Sequence, residues 1–188
     1  MLIILVTLAA SFFIYTQFKS DKIADALEKG ELINTAFFIT HEEQLLFTEV
    51  LLYHPKTNKA SLLDVPSELG SIIESEGKID SIEILYKPGN AANLKKKIEE
   101  LTGIEIPFHF EISVDNIEKL VDLLEGIKMF IANPVEILEQ DKTILLPSGS
   151  IVLDGGKVRN YLLYEGEDTY PEIEKIRSKQ KFIQTLLN

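Results

Sequence analysis

The first 18 residues, MLIILVTLAASFFIYTQF, contain no charged side chain, and this run constrains the fold more than any other feature of the chain. In a helix these residues would extend about 27 Å, close to the roughly 30 Å hydrocarbon core of a bilayer. Tyr15 and Phe18 lie near its end and Lys19 and Lys22 follow, which is typical of a membrane–water interface. The run therefore predicts a transmembrane helix over residues 1–18 that anchors the rest of the chain.

Two other interpretations of this apolar run remain open. A cleaved signal peptide would begin with basic residues and end in a small-x-small cleavage site, whereas this sequence has no basic start and a poor site around residues 8–10. A buried core helix is the second alternative. On the positive-inside rule, the lysines that follow the run weakly favour a cytoplasmic location for the domain.

The residues after the anchor predict one α/β domain. Residues 19–32 predict a linker helix, and residues 33–188 have the length of a single domain. Strand-like runs over 34–40, 45–53 and 60–65 indicate an antiparallel meander that feeds a sheet.

The second half of the chain alternates helical and strand-like patterns. Residues 90–101 carry apolar side chains at helical spacing, 108–114 alternate like a strand, and 127–132 return as a strand. Between the two strands, Asp115 followed by Glu118 predicts a helix N-cap. This β-α-β-α-β order predicts a sheet with helices packed on its faces.

Two more helices are predicted near the C-terminus. The first covers residues 153–164, although Gly155 and Gly156 weaken its start. The second has Pro171 in its first turn and carries an apolar stripe that includes Gln180. A glutamine within such a stripe is either a hydrogen-bonded core side chain or part of a pocket lining.

Charge and composition exclude several classes of function. The formal net charge is −11, and Arg159 and Arg177 are the only arginines, so we expect no nucleic-acid partner. The chain has no cysteine, which excludes a disulfide scaffold and a Cys-ligated metal. No phosphate-binding loop, dinucleotide fingerprint, HExxH motif or nucleophile elbow occurs, and the three histidines are far apart in sequence. By motif alone, the sequence predicts neither a catalytic site nor a metal site.

Several short blocks, taken in order, resemble a known family. The blocks are SLLDVP (61–66), KID (78–80), LTGIEI (101–106), the segment 113–127, LPSGSIVLDG (146–155) and KQKFI (179–183). Their order and spacing resemble the LytR–CpsA–Psr family from residue 34 to the C-terminus, and the apolar N-terminal run resembles that family's membrane anchor.

The resemblance implies a fold and a chemistry. It implies an α/β/α sandwich with a mixed central sheet, preceded by a transmembrane helix and located outside the cytoplasm. Members of the family transfer glycopolymers from a polyprenyl-pyrophosphate carrier to the cell wall with Mg²⁺. Their lipid tail lies in an apolar tunnel, and arginines and aspartates hold the pyrophosphate. A pyrophosphate in a pocket of low dielectric needs such cations and a metal held by carboxylates.

This chain departs from the family where the pyrophosphate would bind. After Pro66 the family has Arg-Asp, whereas this chain has Ser67 and Glu68. The family's Arg-x-Arg after the LDG block falls within residues 161–164, which contain no arginine, and its early Arg-x-Asp finds no clear match within 42–47.

The family's arginine pair near the end of the domain is also changed. Its Arg-x-x-Arg before the glutamine corresponds to Ile176 and Lys179, and Arg177 is one position out of register. The resemblance therefore leaves Glu68, Arg177, Lys179 and Gln180 as candidate pocket residues. Since the loss of one electrostatic group costs about 10²–10³ in rate, we expect no ordinary phosphotransfer.

Three functions follow as hypotheses. The first is a noncatalytic, membrane-anchored envelope domain that acts as a binding or assembly module. The second is a divergent phosphotransferase that moves a glycopolymer from a polyprenyl-pyrophosphate carrier to the cell wall, and the third is a structural subunit of a membrane complex. We expect no cofactor, with Mg²⁺ only for the second hypothesis. Expected partners are the membrane, through the N-terminal helix, and a polyprenyl lipid or an envelope protein; the expected location is the cell membrane, single-pass, with the domain outside the cytoplasm.

Overall fold

The computed structural model describes residues 22–74, 77–139, 142–164 and 172–187. The predicted membrane helix over residues 1–18 lies outside these ranges. Within them, no helix combines the length and the apolar character that crossing a bilayer requires.

A mixed four-stranded sheet forms the centre of the domain. Its strands are β1 (Ile33–His41), β2 (Gln44–His54), β3 (Lys59–Val65) and β6 (Phe108–Ser113). They lie in the order β3-β2-β1-β6, and β6 runs parallel to β1 while the other neighbours are antiparallel. The predicted meander and the predicted mixed central sheet are therefore confirmed.

The turn between β1 and β2 is tight. His41 pairs with Gln44, so Glu42 and Glu43 alone form the loop, with φ of 49° and 64°. Left-handed backbone at both central positions is the geometry of a type I′ hairpin, which normally selects Asn and Gly. The two glutamates are exposed here.

Five helices surround the sheet in the described part of the chain. They are α1 (Lys22–Lys29), α2 (Ala92–Thr102), α3 (Val114–Leu123), α4 (Gly155–Leu163) and α5 (Glu172–Leu186). Alternate side chains of β1 enter two different cores because successive strand residues point to opposite faces. Phe37 and Ile39 pack with α3, α4 and α5, whereas Ala36 and Phe38 pack with α2. The sheet therefore has helices on both faces, as predicted.

The N-cap predicted for α3 is wrong. Ser113, not Asp115, precedes the helix, and its hydroxyl accepts a hydrogen bond from the Asn116 amide at 3.2 Å. The chain passes from β6 into α3 without a loop, so the last strand residue becomes the cap. Both residue types make good caps, and local sequence does not choose between them.

Three two-stranded pairings lie outside the central sheet. They are β4 (Gly70–Ile73) with β5 (Lys78–Ser81), β7 (Ile127–Ile131) with β10 (Gly149–Leu153), and β8 (Val135–Glu139) with β9 (Lys142–Leu146). The strand predicted over 127–132 exists, but it pairs antiparallel with β10 and not with the central sheet. The β-α-β-α-β order therefore does not correspond to a single sheet.

Candidate functional site

Two of the four predicted pocket residues line one cavity. Glu68 follows β3 after the turn at Pro66, and Lys179 projects from α5. Between them lies a cavity of about 240 Å³. Its lining includes Phe47, Asp64, Ser67, Glu68, Ile176 and Lys179. We refer to this space as the Lys179 cavity.

Lys179 lies above an aromatic ring at the floor of the Lys179 cavity. Its Nζ atom is 5.3 Å from the centroid of the Phe47 ring, within the range of a cation–π contact. A neighbouring recess of about 290 Å³ shares Glu68 and Lys179 and adds Lys175. Two lysines therefore face this region.

Gln180 points from α5 towards the sheet. Its Nε2 atom donates to Glu49 Oε2 at 3.3 Å and to the Leu62 carbonyl oxygen at 3.5 Å. The sequence left two alternatives for Gln180, a hydrogen-bonded core side chain or part of a pocket lining. The structure shows the hydrogen-bonded side chain. Its partner Glu49 is fully buried on β2.

Glu49 is the unusual ionisable group of this region. Burial and, to a smaller extent, the nearby charge of Asp64 raise the pKa of Glu49 to about 7, although Gln180 and Lys179 oppose the shift. Asp64 is its direct cross-strand partner in the register of β2 and β3. Among the described residues, the Glu49 Oε1 atom has no hydrogen-bond partner.

Arg177 does not join the Lys179 cavity. Residues two apart on a helix point about 200° apart, so Arg177 and Lys179 leave α5 in nearly opposite directions. The Arg177 Nη1 atom donates to Glu174 Oε1 at 2.6 Å, and Arg177 lines a different cavity, beside Phe130. The other arginine, Arg159, pairs with Asp115 on α3.

Each of the three histidines has a contact within the fold. His54 accepts a hydrogen bond from the Thr57 amide at 3.3 Å and so caps a 3₁₀ turn. The His109 ring lies edge-on to Phe38, with centroids 6.0 Å apart, and His41 lies 3.8 Å from Glu42 in the β1–β2 turn region.

Sequence reasoning missed Glu49 and Asp64 as site residues. A signal for Glu49 was present, because a carboxylate stands in the middle of the strongly apolar strand LLFTEVLLY. Asp64 and Leu62 are two residues apart and therefore lie on the same face of β3. Only the pairing of β2 with β3 brings Asp64 opposite Glu49.

Charged side chains of both signs lie in this region. Asp64, Glu68 and Lys179 line the Lys179 cavity, and Lys175 joins Glu68 and Lys179 in the neighbouring recess. No cluster of three or more Asp, Glu, His or Cys side chains in the described ranges is arranged to hold a metal ion.

Comparison with solved structures supports this fold assignment. The chain superposes on B. subtilis TagV with a TM-score of 0.70 at 14% identity, covering 84% of this chain and 64% of TagV. It superposes on the LytR-CPS2A-psr family protein YwtF (TagT) with bound octaprenyl pyrophosphate lipid with a TM-score of 0.65 at 16% identity, covering 82% of this chain and 63% of that one. At these identities the similarity establishes the fold alone.

Sequence comparison identifies the family. The "Probable cell wall biosynthesis protein LcpB" of Corynebacterium glutamicum is 22% identical over 75% of this chain and 33% of its own length. The polyisoprenyl-teichoic acid–peptidoglycan teichoic acid transferase TagU of Bacillus subtilis is 22% identical over 74% of this chain and 45% of its own. The chain thus spans less than half the length of these relatives. The model of the LytR_cpsA_psr family matches residues 48–188, and the chain therefore belongs to the LytR–CpsA–Psr family.

Proposed function

We propose that this chain is a noncatalytic LytR–CpsA–Psr domain of the cell envelope that binds a polyprenyl lipid without transferring the attached glycopolymer. The observation that carries the proposal is the charge of the Lys179 cavity and its neighbouring recess. Lys175 and Lys179 share this space with Asp64 and Glu68, and both arginines of the chain form ion pairs elsewhere. Since phosphoryl transfer depends on cations placed around the developing charge, this arrangement favours binding over catalysis.

The relatives and the lining of the Lys179 cavity together suggest the proposed ligand. TagU is named as a transferase of polyisoprenyl-linked teichoic acid, and the TagT structure holds octaprenyl pyrophosphate. In this chain, Leu46, Phe47 and Ile176 give the Lys179 cavity an apolar part, and Lys179 offers one positive charge to a lipid phosphate. We propose that the domain faces the outside of the cell and is held there by residues 1–18.

A divergent transferase is the second candidate, and one observation favours it. Glu68 and Lys179 do share a cavity, as this hypothesis requires. The hypothesis also requires Arg177 there, but Arg177 lies on another side of α5 beside Glu174. A lysine alone binds phosphate as a point charge and lacks the two-pronged geometry of an arginine.

A structural role in a membrane complex is the third candidate. Ile72 and Ile79 are direct cross-strand partners in the β4–β5 hairpin and are both largely exposed. Leu123, at the end of α3, is 80% exposed. Exposed apolar groups of this kind suit a protein contact. Under this hypothesis the chain should co-purify with a partner from detergent extracts, and purification always as a single species would count against it.

A transfer assay tests the noncatalytic proposal. The full chain in detergent is incubated with a polyprenyl-pyrophosphate-linked glycan, Mg²⁺ and peptidoglycan, with TagU assayed in parallel as the active control. We expect bound lipid but no glycan on the peptidoglycan and no released lipid carrier. Transfer or hydrolysis that disappears in the Lys179→Ala variant would show that the chain is an enzyme and overturn the proposal.

A further inference from the structure

Two cavities lie along one seam, between strands β2 and β3 and helix α5. The first is the Lys179 cavity, which contacts Phe47 on β2 and Ile176 on α5. The second has a volume of about 550 Å³ and contacts Leu51, Leu62, Gln184 and Leu187 among its lining. We call it the Leu187 cavity. Both lie on the same face of the sheet, because residues 47 and 51 are an even number of positions apart on β2.

Glu49 and Gln180 lie between the two cavities. Glu49 is midway between Phe47 and Leu51 on β2, and Gln180 is one helical turn from both Ile176 and Gln184 on α5. Their hydrogen bond of 3.3 Å joins the strand to the helix at this point, and the second bond of Gln180, to the Leu62 carbonyl, joins the helix to β3. Glu49 has no exposed surface, so the bridge closes the seam here.

We infer that the Glu49–Gln180 bridge is a gate that divides the seam, and that it makes the domain prefer a lipid with a short isoprenoid chain to one with a long chain. The inference rests on the proposed lipid-binding function and adds the ligand's length to it. With its phosphate at Lys179, a short chain fits within the Lys179 cavity and the neighbouring recess, whereas a long chain that follows the seam reaches the Leu187 cavity. To pass, it would have to separate Glu49 from Gln180 and leave both polar groups buried against hydrocarbon, which is unfavourable.

The hydrogen bonding of Glu49 supports a role beyond packing. A buried polar group kept only for stability is normally fully hydrogen-bonded. Glu49 instead leaves its Oε1 atom without a partner among the described residues, beside a second carboxylate, Asp64, on the neighbouring strand. An apolar residue at this position would pack against Phe47 and Leu51 without that cost, and the seam would be lined by hydrocarbon throughout.

Chain-length preference tests the gate. The full chain in detergent is titrated with farnesyl phosphate and with undecaprenyl phosphate, two monophosphates with short and long chains, and binding is measured by native mass spectrometry. We expect the wild type to prefer farnesyl phosphate. Glu49→Ala should raise the affinity for undecaprenyl phosphate by about tenfold or more while leaving that for farnesyl phosphate unchanged, because each further buried methylene adds to binding.

Two further variants make the result decisive. Gln180→Ala opens the same point from the helix side and should reproduce the gain if Glu49→Ala folds poorly. Glu49→Gln keeps the length of the side chain and an oxygen that accepts from Gln180, so it should retain the wild-type preference. If the wild type binds undecaprenyl phosphate as tightly as farnesyl phosphate, or if neither alanine variant gains affinity for undecaprenyl phosphate, the gate is refuted. These outcomes are independent of glycan transfer, which alone decides whether the domain is noncatalytic.

Discussion

Glu49 stands on the central strand β2 among apolar neighbours, and its ionisation is tied to folding. Burial and the charge of Asp64 raise its pKa to about 7 from an ordinary value of 4.5. The folded protein therefore binds a proton at Glu49 more tightly than the unfolded chain does. The stabilising contribution of this group is complete below about pH 4.5 and is lost as the pH rises through about 7.

Glu49→Gln should remove this pH dependence. The amide keeps the shape of the side chain and stays neutral, so the variant should exceed the wild type in free energy of unfolding by about 2–3 kcal/mol at about pH 8. The difference should shrink towards zero at about pH 5, where wild-type Glu49 is protonated. Urea unfolding of both proteins at the two pH values measures this difference in the free energy of unfolding. An equal difference at both values would mean that Glu49 does not titrate in this range.

Gly155 allows helix α4 to approach helix α3 closely. A Cβ atom added there would lie 2.3 Å from the Glu118 carbonyl oxygen and 2.8 Å from the Asp122 carboxylate. The Gly155 amide also donates to Asp122 Oδ1 at 2.8 Å, so the contact is both steric and polar. The glycine that weakens the start of this helix by propensity is thus required for its packing.

Gly155→Ala should lower the free energy of unfolding by about 2–4 kcal/mol, because the helices must separate to admit the methyl group. Gly156→Ala is the matched control. Its Cβ atom would meet only Asp154 Oδ1, at 3.8 Å, and alanine is the better helix former, so we expect stability to be unchanged or to rise by up to about 1 kcal/mol. Thermal and urea unfolding of the Gly155→Ala and Gly156→Ala variants measure these changes in stability. Equal effects in the two variants would contradict the packing argument.

At the scale of elements, the hairpin between β1 and β2 carries local strain. Glu42 and Glu43 both adopt left-handed backbone, which costs non-glycine residues energy. The double substitution Glu42→Asn with Glu43→Gly supplies the residues this turn selects and should stabilise the protein by about 1 kcal/mol. Glu43→Ala keeps the strain and should show no such gain in urea unfolding. A gain from the alanine variant would point to relief of charge repulsion instead.

Sequence patterns are sufficient to predict some of the strands but not others. The central strands were predicted because long apolar runs between turn residues, such as residues 45–53, have few alternatives. Strands β4 and β5 have four residues each, too few for alternation to be recognised. The exposed Ile72 and Ile79 obscure the pattern further, because they face solvent and not a core.

The candidate site also has residues that could be predicted from the sequence and residues that could not. Glu68 and Lys179 were placed by resemblance, and the fold brings both to the Lys179 cavity. The exclusion of Arg177 follows from the phase of helix α5, which is fixed by the burial of Phe182 and Ile183 against the sheet. Glu49 and Asp64 become neighbours only through the register of β2 and β3, which a single sequence does not specify.

At the scale of the whole molecule, the sequence and the family membership give opposite indications of the side of the membrane on which the domain lies. The chain carries −11 formal charges and belongs to a family whose named relatives build the cell wall. The lysines after residue 18 weakly favour a cytoplasmic domain, whereas the relatives favour the opposite side of the membrane. These two indications conflict, and only the orientation of the chain in a membrane decides between them.

The absence of native cysteine makes this orientation measurable. Lys87 is exposed beyond the 3₁₀ turn Ile82–Leu85, so Lys87→Cys should place one reactive thiol on the domain surface without disturbing the core. We expect a membrane-impermeant maleimide to label this variant in intact cells, because the proposed function requires the domain to lie outside the cytoplasm. The cysteine-free wild type should remain unlabelled, and permeabilised cells give the full labelling for comparison. Labelling of the variant only after permeabilisation would place the domain inside, where it would have no access to cell-wall acceptors.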